Sequence, residues 1–258
     1  MGNLTALIRP PTPRLVEALS SHPDRNSINL SKALKQHKKY AEALEQAGAR
    51  VQSLTPLEDH PDACFLEDTL VIFDDFALAC PLKEPSRQGE VESAEKIVSG
   101  HRVLKTLPKG ATLDGGDLLL TPKILFVGLS RRTNREAAKA LKSMVPQRVV
   151  TVPVENGLHL KSGVSYLGED LILLDPTYVE SKYFKDFWQI QLEPEDRRAA
   201  NCIRVNRTLI MTKGFAKVAK RLGAKDLIDQ VIQVDISEFE KADGGISCLS
   251  LLIPEAPA

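Results

Sequence analysis

The chain has 258 residues, of which 43% are apolar and 26% charged, and its 34 basic and 34 acidic residues give a net charge of zero. This length suits one large domain or two small ones with an ordinary globular core. Proteins that bind nucleic acid or anionic membranes usually carry an excess of basic residues, and this chain has none. The sequence therefore predicts neither as a partner.

The sequence carries no pattern typical of a membrane span or a leader. Its longest apolar stretch, 118–129, is interrupted by Thr121-Pro122-Lys123. The first residues lack the layout of a signal peptide, and Ala6 breaks the myristoylation pattern. The four cysteines form no Cys-x-x-Cys pair, which argues against a zinc site or a dense disulfide framework; they are Cys64, Cys80, Cys202 and Cys248. We expect a cytoplasmic protein without a metal or other cofactor.

The predicted elements begin with a strand at 5–9, a helix at 30–48 and a short strand at 50–51. Four hairpins follow, each with two apolar or β-branched runs around a polar turn, at 68–80, 117–128, 164–174 and 201–211. Helical patterns follow three of them, at 90–98, 135–144 and 216–222, and short closing strands lie at 102–104, 148–152 and 231–234. The last apolar run, 249–253, is predicted to pair with 5–9.

The unit starts recur at regular intervals. The five starts are Asp68, Asp117, Ser162, Asn201 and Cys248, and the intervals between them are 49, 45, 39 and 47 residues. Such spacing indicates radial or solenoid repetition, and the pairing of the last strand with the first favours a closed ring. We therefore predict one α/β domain over 1–258. The alternative is an unrelated α+β domain with coincidental hairpins.

Three glycine-framed motifs carry reactive side chains. They are Leu113-Asp114-Gly115-Gly116-Asp117, Gly157-Leu158-His159-Leu160-Lys161-Ser162 and Ala242-Asp243-Gly244-Gly245-Ile246-Ser247-Cys248. A cysteine, a histidine and a carboxylate are the parts of a thiol nucleophile with its base and orienting acid. Each motif precedes the first strand of a unit, and equivalent positions of a closed ring converge on its axis. The sequence therefore predicts a cysteine enzyme with one central cleft.

These residues identify a family resemblance that covers nearly the whole chain. The matching stretches are 61–68, 85–87, 113–117, 126–134, 157–162, 200–202 and 243–248. In them the chain resembles the dimethylarginine dimethylaminohydrolases of the pentein, or guanidino-modifying, superfamily. The resemblance implies a five-bladed ββαβ propeller, in agreement with the five units.

The resemblance also implies catalytic roles. Cys248 would attack the guanidinium carbon of the substrate and form a covalent thiouronium. His159 would protonate the departing amine and then deprotonate the hydrolytic water. Asp114 would orient His159 and favour its charged form.

Eight further positions would bind substrate by the same resemblance. Asp62, Glu67 and Asp68 would accept hydrogen bonds from the guanidinium, and Arg87 and Arg132 would bind the α-carboxylate. The main-chain carbonyl of Ala242, the side chain of Asp243 and a lid contact would complete the site. Ungapped counting assigns the lid contact to Ser20, where the animal enzymes carry leucine, although Leu19 is adjacent.

The sequence therefore favours hydrolysis of Nω-methylated arginines to citrulline and methylamines. The alternative enzyme is a deiminase acting on arginine or another small guanidine, although arginine deiminases usually carry an inserted helical module. A non-catalytic pentein that binds ribosomes is the alternative from another class, and it would not need Cys248 and His159 together. The expected partner is a small-molecule substrate, and the protein is expected to be a monomer or homodimer.

Overall fold

The computed structural model of the protein describes residues 4–155 and 157–254. They form five repeated units. Unit 1 contains β15 (Ser250–Pro254), β1 (Leu4–Ile8), α1 (Leu30–Gln46) and β2 (Ala49–Ser53). Unit 2 contains β3 (Leu70–Ile72), β4 (Phe76–Ala79), α2 (Val91–Val98) and β5 (Val103–Thr106). Unit 3 contains β6 (Leu118–Leu120), β7 (Ile124–Leu129), α3 (Arg135–Leu141) and β8 (Arg148–Pro153). Unit 4 contains β9 (Val164–Gly168), β10 (Leu171–Leu174) and β11 (Trp188–Gln191). Unit 5 contains β12 (Cys202–Val205), β13 (Thr208–Thr212), α4 (Ala216–Gly223) and β14 (Gln230–Val234), and α5 (Ser237–Glu240) follows it.

Each unit has one three-stranded sheet with the same topology. The middle strand is antiparallel to the first strand and parallel to the third in all five sheets. In unit 1, Leu4 lies opposite Pro254 and Ile8 opposite Ser250, so the two ends of the chain share a sheet. The predicted pentein propeller and its closure by the terminal strands are confirmed.

The structure adds two elements that the sequence analysis did not predict. Strand β11 closes unit 4, and a short 3-10 turn, Ser181–Phe184, stands where other units have a helix. The short helix α5 precedes the last motif. Helix α3 ends at Leu141 rather than at residue 144.

The core lies between the helices and the sheets. Helix α1 begins after Asn29, whose side chain accepts a hydrogen bond from the backbone N–H of Lys32. Its buried face includes Ala33, Tyr40 and Leu44, which pack with strand and loop residues of units 1 and 5. Full burial of a leucine side chain stabilises the fold by about 1.5–3 kcal/mol.

Within the described ranges, no helix has the length and apolarity needed to cross a bilayer.

A 3-10 turn precedes the first strand of every unit. These turns are Ser247–Leu249, Leu66–Asp68, Gly115–Asp117, Leu160–Ser162 and Pro194–Ala200. The first four of them contact one another in ring order, and the Pro194–Ala200 turn contacts Leu160–Ser162. The repeat therefore brings side chains that are far apart in sequence close together where these turns meet.

Candidate active site

Cys248 lies in the 3-10 turn that leads into β15 and is partly exposed. The backbone N–H of Gly245 points at its Sγ atom at 3.4 Å. A Cβ atom at Gly244 would lie 2.3 Å from the ring of Phe65, and one at Gly245 would lie 2.4 Å from Oδ1 of Asn201. The two glycines are therefore required for this turn to approach its neighbours.

The surroundings of the Cys248 thiol favour its neutral form. Burial raises its pKa to about 12, and the nearby carboxylates of Glu67 and Asp68 add to that effect. The N–H of Gly245 and the ammonium group of Lys161 act in the opposite direction. A positive charge brought close to the sulfur would therefore favour the thiolate.

His159 is buried between two carboxylates. Its Nε2 atom lies 3.1 Å from Oδ2 of Asp114, and its Nδ1 atom lies 3.7 Å from Oδ1 of Asp68. A Cβ at Gly116 would lie 2.7 Å from Nδ1, so glycine makes room for the ring. Burial alone would lower the pKa of His159, but Asp68 and the hydrogen bond to Asp114 outweigh it and raise the pKa to about 9. The ring is an imidazolium at neutral pH.

The two partners of His159 are themselves held by arginines. Asp68 accepts hydrogen bonds from Arg87 at 2.8 Å and from a backbone N–H at 3.0 Å. Burial would raise the pKa of Asp68, but the charges of His159 and Arg87 hold it well below the usual range. Asp114 accepts from Nη1 of Arg132 at 3.3 Å. Both carboxylates are therefore embedded among positive charges.

Asp117 has a structural role in the same region. It accepts hydrogen bonds from the hydroxyls of Ser130 and Thr133 at 2.6 and 2.7 Å, and from the backbone N–H of Leu160 at 2.9 Å. Asp117 thereby fixes the turn that follows His159.

Glu67 lies in a ring of hydrogen bonds that joins four units. Its Oε1 lies 2.6 Å from Nζ of Lys161, and its Oε2 accepts from the hydroxyl of Ser247 at 2.7 Å. The side chain of Asn201 donates to that hydroxyl and to the carbonyl of Lys161, both at 2.9 Å. Lys161, Ser247 and Asn201 were given no role from the sequence, although each lies in or beside a stretch that carries the resemblance.

A cavity of about 980 Å³ opens over these turns. It is lined by Gly245 and Ile246, which precede the turn Ser247–Leu249, and by Leu158 and Ser162, which flank His159. We call Ser247–Leu249 the nucleophile turn, after the predicted role of Cys248, and Leu160–Ser162 the histidine turn. Several predicted binding residues and a set of arginines also form its wall, namely Ser20, Asp243, Arg25, Arg131, Arg132, Arg197 and Arg198. The wall also contains four acidic residues, Glu155, Asp175, Glu240 and Asp243. The side chains of Cys248 and His159 lie beside this lining rather than in it, so their meeting in one central cleft stays a prediction.

The segment 19–21 forms part of the cavity wall and is held by two predicted substrate ligands. Asp62 accepts from the backbone N–H of Leu19 at 3.2 Å, and Asp243 accepts from that of Ser21 at 2.7 Å. The hydroxyl of Ser20 donates to the carbonyl of Lys241 at 2.8 Å. The lid contact at Ser20 stays a prediction, and Leu19 lines the same cavity.

Ala242 and Asp243 precede the two glycines of the last motif. Ala242 is buried, and Asp243 has a φ of 55°, in the left-handed region that aspartate tolerates better than most residues. Burial raises the pKa of Asp62, the other carboxylate that holds the wall segment.

Arg87 and Arg132 occupy different environments. Arg132 lies in the cavity wall, between Asp114 and Glu84. Arg87 is only 3% exposed and donates to Asp68, to Glu90 and to a main-chain carbonyl. Four of its five N–H groups are used in this way, and the fifth is on Nη1, which lies 3.9 Å from Oδ2 of Asp114. Glu90, which the sequence analysis missed, has a pKa raised to about 7 by burial, against the influence of Arg87.

Asp68, Asp114 and His159 are also the side chains that a metal ion could use. Each offers one ligand atom, and these atoms lie within 4.8 Å of one another. A metal would have to compete with the proton on His159 and with Arg87 and Arg132 for the carboxylates. The expectation of a site without metal or cofactor stays a prediction.

Comparison with known proteins agrees with this architecture. The family model for eukaryotic N,N dimethylarginine dimethylhydrolase matches residues 17–253. N(G),N(G)-dimethylarginine dimethylaminohydrolase of Pseudomonas aeruginosa is 34% identical over 251 residues, which cover 95% of this chain and 97% of that protein. The protein of the same name from Streptomyces coelicolor is 35% identical over 262 residues, covering 99% of each.

A solved structure of the Pseudomonas aeruginosa enzyme has the same fold. It contains a cysteine-to-serine variant complexed with citrulline, and it matches with a TM-score of 0.89 at 31% identity, over 98% of this chain and 100% of that one. The matched family model, the curated relatives and this structure agree. The chain therefore belongs to the dimethylarginine dimethylaminohydrolase family of hydrolases.

Proposed function

We propose that the protein hydrolyses asymmetric dimethylarginine and monomethylarginine to L-citrulline, with release of dimethylamine or methylamine. The observation that carries the proposal is the packing together of three turns from different units, which carry Cys248, a protonated His159 and the carboxylates of Glu67 and Asp68. The sequence neighbours of Cys248 and His159 line the cavity beside them. The names of the relatives and the citrulline bound to one of them support the same reaction.

In the first step, the substrate guanidinium enters beside Glu67 and Asp68, and its positive charge favours loss of the Cys248 thiol proton to solvent. The thiolate attacks the guanidinium carbon and forms an S–C bond. The imidazolium of His159 donates its proton to the methylated nitrogen as the C–N bond breaks. A neutral amine leaves, and a cationic thiouronium remains on Cys248.

In the second step, the now neutral His159 accepts a proton from water, and the hydroxide adds to the thiouronium carbon. The C–S bond breaks, and the added oxygen gives its proton to the departing thiolate as it becomes the carbonyl of citrulline, which restores the Cys248 thiol. Asp114 and Asp68 favour the charged form of His159, which makes it a strong base once it has lost its proton.

The α-carboxylate of the substrate is proposed to bind Arg132, which faces the cavity, with Arg87 supplying its remaining N–H. The polar groups of Asp62, Asp243 and the Ala242 carbonyl are proposed to receive the cationic groups of the substrate. Asp62 and Asp243 would then exchange part of their bonding to the segment that carries Ser20 for bonds to substrate.

We also propose that residues 1–258 form one catalytic domain, because strands from both ends of the chain share the sheet of unit 1. A cytoplasmic location is proposed on the strength of the four scattered cysteines. A monomer or homodimer remains the expected assembly.

The test is kcat/KM for asymmetric dimethylarginine against arginine, with citrulline and the released amine both measured. We expect the methylated substrate to be preferred. A preference for arginine of tenfold or more, about 1.4 kcal/mol, would contradict the substrate assignment and favour the deiminase. If neither asymmetric dimethylarginine nor arginine yields citrulline, the proposal that the protein is an enzyme of this kind is wrong.

A further inference from the structure

Lys161 occupies a position in the site that neither the motif nor the proposed steps explain. It lies in the turn Leu160–Ser162, two residues after His159, and its side chain is 18% exposed. Its ammonium group lies 2.6 Å from Oε1 of Glu67, a carboxylate that is 14% exposed. A lysine that serves only solubility would not be held in this way beside the nucleophile.

Lys161 is bound at both ends. Its side chain holds Glu67, whose second oxygen accepts from the hydroxyl of Ser247, the residue before Cys248. Its carbonyl accepts from Asn201, which also donates to Ser247. The ring of hydrogen bonds thus connects the histidine turn to the nucleophile turn through Lys161.

The charges that act on Cys248 come from several elements. Glu67 and Asp68, from the turn before β3, disfavour the thiolate, whereas Lys161, from the turn before β9, favours it. Tyr40, from α1, is neutral over the working range because burial raises its pKa far above the usual value. Together with the N–H of Gly245, Lys161 therefore offsets part of the effect of the two carboxylates on the sulfur.

We propose that Lys161 is a positioning residue that fixes the orientation of Glu67 and holds a positive charge beside Cys248 before substrate arrives. Its charge partly balances Glu67 in the region that a guanidinium enters, and that last point rests on the proposed function. Loss of the ammonium group would leave the sulfur facing two carboxylates. It would also leave Glu67 freer to bind a cation.

Alkylation of Cys248 by iodoacetamide tests the charge directly, because the reagent is small and neutral and requires no substrate. The rate at pH 9 is followed by mass spectrometry of the labelled peptide. Lys161→Met should slow labelling about threefold or more, which corresponds to a rise of about half a pKa unit. Lys161→Arg should stay within about twofold of the native protein, because it keeps the charge. Glu67→Gln should accelerate labelling.

The control is Lys123→Met, which removes a lysine from an exposed ion pair with Asp170, a pair outside the cavity lining. Its labelling rate should equal that of the native protein. If either substitution loosened the turn, the thiol would be more exposed and labelling would be faster in both Lys161→Met and Glu67→Gln. Slower labelling in Lys161→Met together with faster labelling in Glu67→Gln therefore shows an effect of charge and not a loss of structure. Labelling of Lys161→Met at or above the rate of Lys123→Met overturns the proposal.

Kinetics with asymmetric dimethylarginine give a second readout. Lys161→Met should lower kcat while KM stays constant or falls, because the freed Glu67 binds the cationic substrate at least as well. A rise in KM that accompanies the loss of kcat overturns the positioning role. If the native protein has no turnover, the proposed function fails, whereas the order of the alkylation rates still decides the inference about Lys161.

Discussion

Asn201 should contribute more to the stability and activity of this protein than an ordinary buried amide, because it joins the nucleophile turn to the histidine turn. Its Nδ2 donates to the carbonyl of Lys161 and to the hydroxyl of Ser247, and its Oδ1 accepts from the backbone N–H of Ser247. Asn201 lines the cavity but is only 7% exposed, so its three bonds are largely shielded from water. Asn201→Ala removes all three.

The expected loss of stability follows from the bonds. Each hydrogen bond contributes about 1 kcal/mol, and a buried group left without a partner costs about 1–3 kcal/mol. Loss of the three bonds of Asn201 should lower the free energy of unfolding by about 3–5 kcal/mol, and Tm should fall by roughly 10 °C. Because Cys248 follows Ser247, we also expect kcat/KM to fall by about 100-fold, the effect of misplacing a reacting group by about 1 Å.

Gln189→Ala is the matched control. Like Asn201, Gln189 donates two hydrogen bonds from its amide nitrogen, in this case to the carbonyls of Ser181 and Phe184, but it lies in unit 4 outside the cavity wall. Gln189→Ala should lower Tm, while the folded variant keeps the native kcat/KM. Both variants are assayed by urea unfolding and by citrulline formation at a temperature where each is folded. Native kcat/KM in Asn201→Ala would refute the claim that this side chain sets the geometry of the nucleophile.

Three other predictions concern Cys248, His159 and Arg132. Cys248→Ser should reduce turnover by several orders of magnitude at unchanged Tm, and turnover of the variant near the native rate would exclude the nucleophile assignment. Because the folded pKa of His159 is raised to about 9, its stabilising contribution should be complete below about pH 6.5 and disappear as pH rises through 9. The difference in unfolding free energy between native protein and His159→Gln should therefore shrink from pH 7 to 9.5, and a constant difference would contradict the raised pKa. Arg132→Ala should weaken binding of methylarginine by about 1.5–3 kcal/mol but leave agmatine, which lacks the α-carboxylate, almost unaffected; equal losses for both would remove Arg132 from carboxylate binding.

The repeat was predictable because its turns have strong local signals. Asn206 adopts a φ of 55° between β12 and β13, and Glu169 and Asp170 do the same between β9 and β10. Strand β11 was not predicted because only Ile190 of its four residues is buried and Trp188 is 78% exposed. An edge strand of this kind is fixed by pairing with β10, which a short sequence pattern does not encode.

The sequence predicted the candidate catalytic residues but fewer of the residues that bind them. Cys248, His159 and Asp114 were found because each lies in a glycine-framed motif at an equivalent position of the repeat. The burial of Arg87 against Glu90 was not foreseen, because an acidic residue at the start of a helix usually indicates a favourable interaction with exposed backbone N–H groups. Which carboxylate an arginine meets depends on how neighbouring turns pack.

The raised pKa of the Cys248 thiol has a simple consequence for its reactivity. A cation that enters the site and a proton that leaves the sulfur keep the net charge of the site unchanged, so a cationic reagent should generate its own nucleophile. Chloroacetamidine and chloroacetamide share a leaving group and differ mainly in charge. After division by their rates with free cysteine, chloroacetamidine should label Cys248 about 10–1,000-fold faster at pH 7, since an opposite charge nearby lowers a pKa by about 1–3 units. Equal normalised rates would show that the thiolate exists before the cation arrives, and the substrate would then have no part in forming the nucleophile.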